Sequence, residues 1–111
     1  MFYRNSLTGA LTYVEMQKDG VGGVDGLNNP RSVRVSPDGN HVYATGYLDD
    51  AVAVFSRNSS TGALTYLEMQ KDGLNGVDGL DGAYSVMLRP DGNQVYATGK
   101  SDHAVAVFSR D

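Results

Sequence analysis

Cysteine is absent from the 111-residue chain, which excludes disulfides and thiolate chemistry and leaves the redox compartment open. Tryptophan is absent too, and proline occurs only three times. No cluster of Lys or Arg exists to neutralise phosphates, and the net charge is −4, so nucleic acid is not expected as a partner. No apolar run approaches the ~20 residues a membrane helix needs. Met1-Phe2-Tyr3-Arg4 begins no signal peptide, so a soluble chain of unassigned compartment is expected. What is present points to a folded domain: 41% of residues are hydrophobic and 20% charged, unlike a disordered tail. Fourteen glycines, seven tyrosines and many valines suit short strands joined by tight turns.

An internal period decides the architecture. Shifting the chain by 53 residues superimposes Phe2–Val54 on Phe55–Val107 without a gap, with 37 identities among the 53 pairs. Phe108-Ser109-Arg110-Asp111 then returns to the phase of Phe2-Tyr3-Arg4-Asn5. Such identity fits an engineered or recently duplicated sequence. Each period holds four strand-like runs, and no segment keeps a 3.6-residue rhythm, so almost no helix is expected. In the first complete set these are Ser32–Ser36, Val42–Thr45, Ala51–Arg57 and Leu64–Met69, labelled A to D. Pro37-Asp38-Gly39-Asn40 and Ser59-Ser60-Thr61-Gly62 supply turns, since proline presets φ and Asp, Gly and Asn tolerate the remaining angles. Four antiparallel strands recurring every ~50 residues read as an all-β protein built from β-propeller blades.

The residues also carry a resemblance. Ser36-Pro37-Asp38-Gly39-Asn40-His41-Val42-Tyr43-Ala44-Thr45-Gly46, the run from Asp49 to Asn58, and Thr61-Gly62-Ala63-Leu64-Thr65 resemble the repeat of lactonase-type seven-bladed propellers, which include 6-phosphogluconolactonase-like and YVTN-type blades. The resemblance spans both periods and implies a propeller fold. For activity it implies lactone hydrolysis or cyclisation, but no catalytic motif of the family matches residue by residue.

Strand order along the chain suggests how the blades are completed. Residues 1–17 offer the tail of a C strand and a D strand (Leu11–Gln17), residues 18–70 a complete blade, and residues 71–111 only strands A, B and C of a second. Two blade equivalents are therefore present, one of them split between the termini. Open strand edges template pairing with another chain. The expectation is head-to-tail assembly of the chain with itself, the D strand of one copy completing the A-B-C sheet of the next. Each copy adds two blades, so rings are even: a homotrimer of six blades or a homotetramer of eight. A piece of a longer propeller is the competing reading.

Function is sought where the two periods differ. Ten of the 16 differing pairs fall at Asn28–Arg31, Arg34–Ser36, Tyr47, Leu48 and Asp50 and their counterparts, in the D–A loop, strand A and the B–C loop. Loops converging on one face are the usual ligand site of such a scaffold, although relaxed packing at exposed loops accounts for the variation equally. Candidate ligand-face residues are Arg31, Arg34, Tyr47, Asp49 and Asp50 in the first repeat, and Tyr84, Arg89, Lys100, Asp102 and His103 in the second. With Asp102 and an arginine, His103 could serve acid–base work on a lactone, but a lone loop histidine is more often simply solvated, and no catalytic residue is assigned. His41, on the opposite face, reads as surface. The Gly- and Asp-rich stretch Lys18–Leu27, repeated at Lys71–Leu80, offers Asp19, Asp25, Asp72 and Asp78 as ligands for Ca²⁺. The commoner role of such a loop is a turn whose aspartates bond nearby N–H groups, so no cofactor is expected. Three functions remain: a self-assembling structural module without catalysis, a binding module for a protein or small polar ligand, and a lactone hydrolase or cyclase.

Overall fold

A computed structural model describes residues 2–4 and 9–110, with side chains from Gly9 to Arg110. Met1, residues 5–8 and Asp111, which belong to the expected segments 1–17 and 71–111, lie outside the described residues. The described residues form nine strands and no helix, so no helix long and apolar enough to cross a membrane occurs among them. In chain order the strands are β1 (Phe2–Arg4), β2 (Leu11–Tyr13), β3 (Pro30–Val35), β4 (His41–Gly46), β5 (Ala51–Arg57), β6 (Leu64–Lys71), β7 (Ala83–Leu88), β8 (Gln94–Gly99) and β9 (Ala104–Ser109).

β3-β4-β5-β6 is a four-stranded antiparallel meander, β7-β8-β9 its three-stranded repeat, and β1-β2 a separate pair. Turn chemistry fixes the hairpins. Gly39 takes φ 77° between β3 and β4, its N–H bonded to the Ser36 carbonyl at 2.9 Å, while Asp38 accepts from the Asn40 N–H. Before β5 and β9 the left-handed position is held by Asp50 (φ 54°) and His103 (φ 52°), where a short polar side chain tolerates αL better than a branched one. Asn58 caps the β5–β6 turn by accepting from the Ser60 and Thr61 N–H groups. β5 spans the expected C strand residue for residue.

Two sheets stacked face to face bury apolar side chains that an isolated meander would leave wet. Tyr43, Val52 and Val54 of the first blade pack against Leu80, Ala83, Val86, Val95 and Ala97 of the second. Calling these surfaces the forward and rear faces makes the arrangement directional. The rear face of the first blade holds the equivalents of the same rear residues, Leu27, Val42 and Ala44, backed by Val24, Ala53 and Phe55. The forward face of the second blade holds the equivalents of the same forward residues, Tyr96, Val105 and Val107.

Exposure records which faces are covered. Val52 and Val54 are 2% and 9% exposed, whereas their counterparts Val105 and Val107 are 60% and 61% exposed. Val86 is 1% exposed and its counterpart Val33 is 57% exposed. For these three pairs a neighbouring blade makes the difference, whereas Leu27, Val42 and Ala44 are buried without one, as their counterparts Leu80, Val95 and Ala97 are with one.

The β1–β2 pair repeats the outer end of the β5–β6 hairpin, with Phe2 opposite Tyr13 and Arg4 opposite Leu11, as Phe55 faces Tyr66 and Arg57 faces Leu64. The D strand expected over Leu11–Gln17 ends at Tyr13, whereas β6 continues to Lys71 against Ala51. The ladder accounts for the difference: β6 past Tyr66 pairs with Ala51–Val54, whereas among the described residues β2 pairs with Phe2–Arg4 alone. Residues beyond Tyr13 instead lie against the start of β6, where Glu15 Oε2 accepts from the Leu64 N–H at 3.0 Å and Gln17 Nε2 donates to the Leu64 carbonyl at 3.0 Å. These bonds hold the Glu15 carboxyl below its ordinary pKa, the Gln17 bond first and Leu64 next. Among the described residues, β9 pairs with β8 alone.

Candidate functional site

The D–A and B–C loops meet at one end of each blade, as the strand order requires. In the first repeat three consecutive N–H groups of the D–A loop are each capped by a carboxylate. Gly26 donates to Asp25 Oδ1 at 2.8 Å, Leu27 to Asp19 Oδ1 at 3.1 Å and Asn28 to Asp49 Oδ2 at 3.1 Å. The second repeat copies this with Gly79 to Asp78, Leu80 to Asp72 and Asp81 to Asp102. The capping explains why the loop is so acidic: Leu27 and Leu80 are buried, and a buried N–H left unpaired is costly. Asp19, Asp25 and Asp49, and again Asp72, Asp78 and Asp102, each bring one oxygen within 4.8 Å of the others, an all-oxygen set of the kind that hard cations take. Asp49 and Asp102 are the third members; lying 21 residues beyond the N–H groups they cap, they are not legible from the loop's own pattern.

The loop is also clamped from beside. A Cβ on Gly46 would stand 2.1 Å from the Gly26 carbonyl oxygen, and one on Gly99 would stand 2.0 Å from that of Gly79. Only glycine lets the loop backbone lie on the end of β4 or β8.

Between the blades the variable positions form one continuous cluster. The Arg31 guanidinium sits 5.0 Å from the centroid of Tyr47 and 5.6 Å from that of Tyr84, and the Lys100 ammonium sits 5.6 Å from the Tyr84 ring. The two rings meet edge to face at 6.2 Å. Asp50 Oδ1 accepts from the Gly82 N–H of the other blade at 2.8 Å, and its charge, ahead of burial, lifts the Asp81 carboxyl above its ordinary value. Thr45, fully buried, donates to the Tyr84 carbonyl, and Ser32 Oγ accepts from the Val86 N–H. The structure thus brings Arg31, Tyr47, Asp50, Tyr84 and Lys100 together.

Other expected residues lie elsewhere. Arg34 is exposed on β3, its Nη1 donating to the Val33 carbonyl. Arg89 does not reach the loop face: it lies at the β7–β8 turn, paired with Asp91 at 3.2 Å and with Gln94, at the opposite end of the blade. The reason is strand parity and length, since β7 ends at Leu88 and Arg89 already belongs to the turn. His103 is exposed and occupies the turn before β9, while Asp102 beside it is committed to the Asp81 N–H.

That opposite end carries a second constellation. Arg110 Nη2 pairs with Asp38 Oδ2 at 2.7 Å and with His41 Nδ1 at 2.9 Å, Nε donates to the Tyr43 hydroxyl at 2.9 Å, and Nη1 donates to the Gly92 carbonyl at 3.1 Å. His41 is therefore half-buried in an inter-blade clamp, not plain surface, and its Nδ1 must be the unprotonated nitrogen to accept. The Ser36 hydroxyl first, then Arg110, holds the Asp38 carboxyl far below the ordinary carboxylate range. Arg57, the counterpart of Arg110, makes the same bond to Gly39.

The comparisons with known proteins agree with this geometry. A family described as lactonase, seven-bladed β-propeller, matches residues 1–111. A candidate 6-phosphogluconolactonase of Bacteroides uniformis superimposes on 99% of the chain with TM-score 0.71 at 22% identity, and one of Bacteroides fragilis does the same. A periplasmic gluconolactonase of Pseudomonas aeruginosa covers 74% of the chain at 29% identity with TM-score 0.62. The chain spans 30%, 28% and 23% of those three proteins. No curated protein matches it by sequence. Blade repeats in sequence, stacked antiparallel meanders in structure and a full-length family match lead to one conclusion: the chain belongs to the seven-bladed β-propeller lactonase family.

Proposed function

We propose that the chain is a self-assembling propeller module: copies join head to tail, the forward face of β7-β8-β9 seating on the rear face of β3-β4-β5-β6 in the next copy, and close into a ring of three or four. The observation that carries this is that most residues of the covered junction recur at the forward face of the second blade, where Val105 and Val107 are exposed, and at the rear face of the first, where Val33 is exposed while Leu27, Val42 and Ala44 are already buried. Val105 and Val107 stand for Val52 and Val54, Tyr96 for Tyr43 and Asp91 for Asp38. Facing them in the next copy, Leu27, Val33, Val42, Ala44 and Arg57 stand for Leu80, Val86, Val95, Ala97 and Arg110. Such a contact, with strand exchange added, should exceed the ~1,000 Å² of a genuine interface.

Strand exchange follows from the same period. In the register of β5 on β6, β9 would take the neighbour's N-terminal strand with Phe108 opposite Tyr13, Ser109 opposite Thr12 and Ala104 opposite Lys18. The place β9 would occupy is held in the free chain by β1, so β1 competes with assembly. Solution mass tests the reading. Removing residues 1–4 should tighten assembly, and removing residues 1–17 should abolish it; equal mass for both truncations would refute the exchange. The role proposed is structural, without catalysis. Turnover of gluconolactone by the assembled ring would show that role to be too narrow.

A further inference from the structure

The outer strand of the first blade covers two positions that stay uncovered in the second. Tyr66 of β6 meets Phe55 edge to face at 5.7 Å, and Met69 lies so close to Gly26 that a Cβ there would stand 3.0 Å from the methionine Cβ. In the second blade Phe108 is the counterpart of Phe55 and Gly79 that of Gly26, yet the groups nearest Gly79 are Ala104 and Ala106. Beside Phe108 a cavity of about 240 Å³ opens between the blades, lined by Val52, Val54, Leu67 and Gln70 of the first and by Phe108 and Arg110 of the second. Among the described residues β9 pairs with β8 alone, and a strand edge of that kind templates another strand. Residues 11–17 repeat residues 64–70 except at Val14. Their Leu11, Tyr13 and Met16 are 62%, 59% and 66% exposed, while Leu64, Tyr66 and Met69 are half-buried. Within its own copy this segment does not reach the cavity: Glu15 and Gln17 are bonded to Leu64, and Gln17 lines the rear-face groove with Val33 and Val42, on the other side of the first blade.

We propose that the cavity beside β9 is a peptide-binding socket, which takes an extended segment in the register of β6 on β5, with a tyrosine opposite Phe108 and a methionine opposite Ala106. Its own ligand is the segment 11–17 of another copy. Strand addition draws affinity from main-chain hydrogen bonds and specificity from pockets for particular side chains. Tyr13 enters the cavity and remakes the ring pair on Phe108, and Met16 covers Gly79 as Met69 covers Gly26. Val14 takes the place of Leu67, which is 51% exposed where the register of β6 shifts, and so stays outside the socket. The inference rests on the strand exchange proposed above, but it requires neither the contact between blade faces nor a closed ring, so a free peptide suffices.

The test adds a synthetic peptide of residues 9–18 to the full chain at a dilution where the chain is monomeric. Calorimetry should count one peptide per chain, and amide hydrogen exchange should slow within Ala104–Ser109. Tyr13→Ala in the peptide should weaken binding at least about tenfold, because the ring pair and its buried surface are lost together. Val14→Leu, which copies the other repeat, should change the affinity by less than about twofold, as an exposed substitution does. Peptide taken up at β9 by a chain that never associates would uphold the socket and overturn the ring. A chain that associates yet takes up no peptide would overturn the socket and leave the packing of forward on rear faces standing. Binding indifferent to Tyr13→Ala, or protection outside β9, would place the peptide elsewhere and refute the socket.

Discussion

Replacing both Val105 and Val107 with serine separates the fold of the chain from its assembly. Each side chain is largely exposed in the free chain, while its counterpart in β5 is buried. Seating a second copy therefore removes roughly 80 Å² of surface per valine, worth about 2 kcal/mol each at ~25 cal/mol/Å². Loss of the pair should weaken association by about 4 kcal/mol, close to a thousandfold. Exposed substitutions of this kind change fold stability by only about 0.5 kcal/mol. The double variant should thus melt like the wild type when dilute yet fail to associate at concentrations where the wild type does. Sedimentation velocity and thermal melts on one set of samples give both readouts. Association unchanged by the double substitution would refute the claim that this face is an interface.

Gly46→Ala forces a methyl group onto the Gly26 carbonyl and should cost about 3 kcal/mol in a denaturant melt; a cost near that of an ordinary surface change would mean that the loop can retreat. Asp72→Ala strands the buried Leu80 N–H and should destabilise by about 1–3 kcal/mol, with Asp72→Asn recovering part of the loss. Asp38, whose carboxyl is depressed by Ser36 and Arg110 from an ordinary value of 3.8, contributes stability that is fully present above that value and is lost as pH falls below about 4. Asp38→Asn should flatten the acid limb of the stability profile between pH 4 and pH 2, and an unchanged limb would contradict the assignment.

Much of the fold was legible because the period is in the sequence itself. Strand C could be bounded at Ala51 and Arg57 because Asp50 and Asn58 make local turns on either side. Strand D could not be bounded in the first repeat: Leu11–Gln17 and Leu64–Gln70 differ only at Val14 and Leu67, yet one run ends at Tyr13 and the other reaches Lys71, because the partner strand decides. Of the site, the differences between repeats pointed to Arg31, Tyr47, Tyr84 and Lys100, which the fold brings together. Arg89 followed the same signal to the wrong end of the blade. Arg110 with Asp38 and His41 stayed hidden, since 72 and 69 residues separate the partners and both repeats carry the arginine. Nothing in the local sequence of Gly46 or Gly99 announces the loop carbonyl that lies on each, because Gly26 and Gly79 are 20 residues away.

Mass in solution bears most directly on the central claim that one blade's uncovered forward face is made for another copy's rear face. Light scattering across a concentration series should converge on three or four times the 11.9 kDa of the chain. A mass that stays at one chain up to millimolar concentration would contradict it.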